Sequence, residues 1–265
     1  MRGLRAVLVA VVLAGCAGSA PDKDASPAGS PRHQEWADVR HEGGTVRCFV
    51  VFPEVAQPAP AVVVIHENKG LTEWVRGVAD RLAAAGFVAI APDLLSGTGA
   101  AGGGTESYPD EAAATAAIYK LAPDQVTADL DSVADYAKAL PGANGTISVA
   151  GFCWGGAQSF RYATHRGDLK AAYVFYGSAP DDAAALAKVA SPVYGFYGEN
   201  DARVDATIPA TEQRMRDAGK VYEPVTYAGA GHGFLRAGEK PDADPANAKA
   251  CADAWERWLS LLRRP

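Results

Sequence analysis

Cysteine is scarce in this chain. Four occur in 265 residues (Cys16, Cys48, Cys153 and Cys251), and no two form a Cys-x-x-Cys pair. That is too few for a disulfide-built scaffold, and the spacing suits neither a structural zinc site nor a thioredoxin-type motif. Dense runs of lysine and arginine are missing from the body, and the formal net charge is −6. Nucleic-acid binding therefore has no electrostatic footing. His66-Glu67 opens like a zinc-protease motif, but the second histidine would fall at Gly70. The run Gly97-Thr98-Gly99-Ala100-Ala101-Gly102 fits a dinucleotide fingerprint only formally. Gly103-Gly104-Thr105 and Tyr108-Pro109 follow it where a helix should open, so it reads as a mobile loop. No metal or cofactor is expected, no internal repeat is present, and the oligomeric state stays open.

What is present points to one folded α/β domain with a tail. Hydrophobic residues make up 48% and charged residues 21%, enough apolar content to bury a substantial core. Met1-Arg2-Gly3-Leu4-Arg5 precedes an apolar run from Ala6 to Ala14, a secretory pattern too short to span a bilayer comfortably. It ends in Leu13-Ala14-Gly15-Cys16, which resembles a bacterial lipobox. The expectation is a leader over 1–15, lipidation at Cys16, a flexible tether over 16–35 and a folded domain over 36–265. Partnership with a membrane through that lipid follows. So does a place in the bacterial cell envelope, on the outer membrane in a Gram-negative cell because Ala17 is not the retention-associated Asp.

The body alternates strand and helix signals. Val46–Phe52, Ala61–Ile65, Phe87–Ala91, Thr146–Ala150, Ala171–Tyr176, Val193–Tyr197 and Tyr222–Tyr227 read as strands. Helical spacing marks Trp74–Leu82, Val126–Leu140, Ala157–Thr164, Thr207–Ala218 and Asn247–Leu262. The alternation implies an α/β fold, a mostly parallel central sheet with helices on both faces. Its active residues should lie in loops at the carboxyl ends of strands.

Gly151-Phe152-Cys153-Trp154-Gly155-Gly156 sits between a strand and a helix, the setting of a nucleophile elbow. The following helix N-terminus favours a thiolate and a developing oxyanion. A thiol nucleophile needs a base, and the base an orienting acid, in the order nucleophile, acid, histidine. His232 in Gly231-His232-Gly233 is the base. Asp201 is the favoured acid, with Glu199 and Asp205 as alternatives. The N–H of Trp154 and that of Asn68, in the loop after Ala61–Ile65, are the candidate oxyanion donors. Cys251 shares a helical face with Trp255, Trp258 and Leu262 and reads as core. An oxidising compartment would permit a Cys48–Cys251 disulfide.

Several of these stretches together resemble the dienelactone hydrolase family of α/β-hydrolases. They are His66-Glu67-Asn68-Lys69-Gly70-Leu71, Ala91-Pro92-Asp93-Leu94, Gly151 to Gly156, Phe175-Tyr176-Gly177, Gly198 to Asp201 and Gly231 to Phe234. The resemblance implies the α/β-hydrolase fold and a Cys153-His232-Asp201 triad acting on a small carboxylic ester or lactone through an acyl-enzyme. It also implies a role for Glu67, which would contact the resting thiol and take its proton as substrate binds. Arg236 and Tyr176 would meet the substrate. The family's lactone-cleaving members hold the substrate carboxylate with two arginines, and Leu95-Ser96-Gly97-Thr98 lacks one where it is expected. A thioesterase or acyltransferase with the same triad, or a non-catalytic envelope lipoprotein, are the competing readings.

Overall fold

The computed structural model describes residues 30–265. The expected leader and Cys16 lie outside the described residues. Eight strands form one sheet: β1 Gln34–His41, β2 Gly44–Val51, β3 Ala59–Ile65, β4 Val88–Asp93, β5 Ala143–Phe152, β6 Ala172–Phe175, β7 Val193–Gly198 and β8 Tyr222–Tyr227. The helices are α1 Glu73–Ala84, α2 Glu111–Ile118, α3 Pro123–Ala139, α4 Trp154–Ala163, α5 Ala183–Leu186, α6 Ala202–Asp205, α7 Ile208–Asp217, α8 Phe234–Ala237 and α9 Pro245–Leu262. The strand order is β1-β2-β4-β3-β5-β6-β7-β8. From β4 to β8 neighbouring strands run parallel, and the β1–β2 and β2–β4 pairs are antiparallel.

The apolar runs are continuous because both faces of the sheet are covered. Along β3, Val62 and Val64 face the cluster built with α1 and α9, while Val63 and Ile65 face the cluster built with α3 and α4. The α9 stripe Cys251, Ala254, Trp255, Trp258 and Leu262 is buried on the first of these faces. Trp258 is fully buried against Phe152, Tyr173 and Phe175, and its indole N–H has no hydrogen-bond partner among the described residues. We expect Trp258→Ala to cost about 3–5 kcal/mol in a urea unfolding midpoint. Trp258→Phe should cost far less, since it keeps the ring and discards the orphaned donor. Equal losses would show that ring packing is not what the site supplies.

Two sequence expectations change, and a cysteine pairing left open is answered. The folded body begins earlier than residue 36: β1 opens at Gln34, and Ser30, Arg32 and Gln34 all bind the Asp80 carboxylate on α1. Weak periodicity hid this edge strand, because only Val39 in it is fully buried. The Cys48–Cys251 disulfide does not form. Both thiols are free, and they lie in the separate cores on opposite faces of the sheet. The segment expected to be a mobile loop is folded, with a turn at Ala100–Gly102 in which Ala101 takes a left-handed φ of 54, and a single 3₁₀ turn at Thr105–Ser107. The Asp93 carboxylate ties it down, accepting from the Thr105 N–H at 2.7 Å and the Thr105 hydroxyl at 2.7 Å. That hydroxyl in turn accepts from the Leu71 N–H at 2.9 Å.

Candidate active site

Strand β5 ends at Phe152, and α4 begins at Trp154, so Cys153 alone makes the turn. Its backbone sits at φ 54, ψ −115, a costly conformation for a residue with a side chain. Two glycines make that turn possible. A Cβ on Gly151 would lie 1.9 Å from the Gly155 carbonyl oxygen, and one on Gly155 would lie 2.3 Å from the His66 carbonyl oxygen. The Cys153 N–H donates to the Phe175 carbonyl at 3.0 Å, holding the elbow to β6. The thiol is half-buried at the helix N-terminus, where partial positive charge stabilises a thiolate.

The other site residues arrive on the loops after neighbouring parallel strands. Asp201, after β7, is 7% exposed and is hydrogen-bonded to Nδ1 of His232, which follows β8. This contact separates Asp201 from the two alternatives. Glu199 accepts instead from the Gly229 N–H at 2.8 Å, and Asp205 Oδ1 has no hydrogen-bond partner among the described residues. His232 is raised to about 9. Its interaction with the Cys153 side chain is the largest cause, burial opposes it, and Asp201 adds to it. Cys153, His232 and Asp201 are thus brought together.

The loop after β3 supplies the remaining groups. Glu67 is 5% exposed, and its carboxylate accepts from Arg236 Nε on α8 at 2.9 Å. No hydrogen bond joins it to Cys153 in this conformation, so Arg236 and Glu67 meet each other directly. Tyr176 stands at φ 42 after β6 and is 1% exposed, its ring edge-on to His232 with centroids 5.1 Å apart. Its hydroxyl has no hydrogen-bond partner among the described residues. Burial pushes that phenol well up, and Glu67 and Cys153 push it further. The N–H groups of Asn68 and Trp154 have no acceptor among the described residues. Helix α2 covers the Asn68 loop, Thr115 donating to the Asn68 carbonyl at 2.8 Å and Glu111 pairing with Lys69 at 2.5 Å. A cavity of about 320 Å³ opens on the flank between Leu71, Arg76, Tyr108 and Ala114, but neither Cys153 nor His232 lines it.

Two features had no strong signal in sequence. Helix α2 is short and alanine-rich, without an apolar stripe. His66 stood in the quoted motif, yet its buried ring contacts depend on β4 and α4, which no local pattern reveals.

Residues 46–265 match the dienelactone hydrolase family. The chain belongs to that family. A Salmonella typhimurium relative, provisionally named carboxymethylenebutenolidase, is 32% identical over 233 residues, covering 83% of each chain. A provisional dienelactone hydrolase from Klebsiella pneumoniae superposes with TM-score 0.77 at 28% identity, covering 88% of this chain and 99% of that one. A dienelactone hydrolase-like promiscuous phosphotriesterase from metagenomic libraries gives TM-score 0.74 at 26% identity, covering 87% and 97%. The α/β-hydrolase fold and a carboxylic ester hydrolase of the dienelactone hydrolase type follow from these matches.

Proposed function

We propose that this dienelactone hydrolase family member cleaves carboxylic esters or lactones through a thioester on Cys153. The observation that carries the reading is the line from Asp201 through His232 to Cys153 at the mouth of α4. The Cys153 thiolate attacks the carbonyl carbon. The resulting oxyanion lies between the N–H groups of Asn68 and Trp154. The His232 imidazolium then gives its proton to the departing alkoxide, leaving a thioester. Water, deprotonated by His232, releases the acid and restores the thiol. Asp201 keeps the ring in the tautomer this requires.

Arg236 engages Glu67 through Nε alone, and its side chain is 37% exposed. The remaining guanidinium edge is a single cation for a substrate carboxylate. With no second arginine in Leu95–Thr98, a neutral ester or lactone fits as well as an acidic one. A panel of neutral ester, carboxylate-bearing lactone, thioester and neutral phosphotriester tests this on wild type and Arg236→Gln. We expect turnover of the carboxylic substrates, and a roughly tenfold loss in Arg236→Gln confined to the acidic lactone. Turnover of none of the carboxylic substrates would end the reading, and a marked preference for the thioester would transfer it to a thioesterase.

We also propose that Cys16 is lipidated and holds the enzyme on the envelope. Cys16→Ser should abolish palmitate labelling and move the protein to the soluble fraction. Continued labelling would disprove the anchor.

A further inference from the structure

We propose that His66 is a positioning residue whose imidazole fixes the plane of the Glu67–Asn68 peptide, aiming the Asn68 N–H at the carbonyl under attack. The inference rests on the reading of Asn68 and Trp154 as oxyanion donors and adds what orients one of them. His66 is wholly buried at the end of β3. Its Nε2 lies 3.2 Å from the Leu94 N–H, and its Nδ1 lies 2.7 Å from the Glu67 carbonyl oxygen. A backbone N–H can only donate, so Nε2 must be the unprotonated acceptor. The single proton of the neutral ring is then on Nδ1, and a carbonyl oxygen can only accept it. Both contacts are satisfied by one tautomer and by no other. Protonating the ring would set Nε2–H against the Leu94 N–H, donor to donor. Burial also lowers the basicity of His66, against the opposing field of Asp93.

The consequence lies in the peptide. In a trans peptide the C=O of one residue and the N–H of the next belong to the same plane and point in opposite directions. Holding the Glu67 carbonyl therefore holds the Asn68 N–H facing away from His66. The Gly70 N–H reaches the same carbonyl at 3.4 Å, a weaker second tie. The ring also lies flat against the Trp154 indole, 15° from parallel with centroids 5.6 Å apart. Trp154 carries the other candidate donor. One buried ring thus touches both halves of the oxyanion site and ties them to Leu94, the residue that follows β4. Without it the Glu67–Asn68 peptide could rotate and turn its carbonyl toward the developing negative charge.

The test uses a chromogenic neutral ester and iodoacetamide, with alkylation of Cys153 followed by mass spectrometry. Displacement at a saturated carbon builds no oxyanion, so alkylation reports the thiol and His232 without the oxyanion donors. His66→Phe keeps an aromatic ring beside Trp154 and removes both hydrogen bonds. We expect its kcat to fall about 10²-fold, the scale of one lost oxyanion donor, with KM and the alkylation rate little changed. His66→Gln, which carries a donor and an acceptor on one amide, should recover most of the loss. Wild-type kcat in His66→Phe, or an alkylation rate that falls in step with kcat, would overturn the proposal. Should His66→Phe not fold, the ¹⁵N shifts of His66 in the wild-type protein decide: an Nδ1-protonated neutral ring supports it, and an imidazolium or Nε2-protonated ring overturns it. Equal turnover by wild type and Cys153→Ala would instead sink the underlying site reading, and this inference with it.

Discussion

Cys153→Ala is expected to lose on the order of 10⁵ to 10⁶ in turnover of a carboxylic ester while melting at the wild-type temperature. The two halves of that expectation come from different features. On the mechanism proposed above, turnover falls because the Cys153 thiolate is the attacking group. Stability holds because alanine must adopt the same φ of 54 as cysteine, so the strain at the elbow is unchanged. The deleted sulfur is only half-buried and leaves little cavity. Substrate binding should survive as well, readable as inhibition or a thermal shift with a non-hydrolysable ester analogue. Hydrolysis by Cys153→Ala at the wild-type rate would show that the reaction runs elsewhere.

The second large effect is at Asp201. Asp201→Asn should cost on the order of 10³ to 10⁴ in kcat, because an asparagine amide can hold the ring in the wrong tautomer. It should also move the pH profile. In the wild type His232 is raised to about 9, so the imidazolium that the proposed mechanism uses to protonate the leaving group persists until pH climbs through that value. Activity should therefore fall on the alkaline side near pH 9. Removing the Asp201 carboxylate takes away one of the two charges that raise His232, and the falling limb should shift toward the ordinary 6.5. Stability follows the same sign: a raised histidine contributes fully below about pH 6.5 and loses that contribution as pH rises through about 9. An alkaline limb that stays in place in Asp201→Asn would mean another group sets it.

Much of the framework was legible because its signals are local. Ala61 to Ile65 reads as a doubly buried strand from five consecutive apolar residues, and β8 is observed with the bounds its pattern implied. The α1 and α9 stripes follow from helical spacing alone. Strand β1 was not legible, because an edge strand with charged residues at Glu35, Asp38 and Arg40 carries little alternation and is held by pairing with β2. The segment 97–108 misled for a related reason. Glycine-rich composition suggests freedom, but the Asp93 carboxylate that removes it lies outside the segment.

Local pattern put Cys153 between strand and helix, with Asp201 and His232 after it in that order, and a parallel sheet beneath. These depend on turn chemistry and periodicity over a few residues. Tertiary structure alone decided that Asp201, rather than Glu199 or Asp205, meets His232. It also set Arg236 against Glu67, 169 positions away in the chain, put Cys48 and Cys251 on opposite faces of the sheet, and closed the His66 ring between Glu67, Leu94 and Trp154. The physical reason is common to all four. Each depends on side chains carried on elements far apart in the chain, and the distances between those elements are fixed by strand order and packing, which no short stretch of sequence encodes.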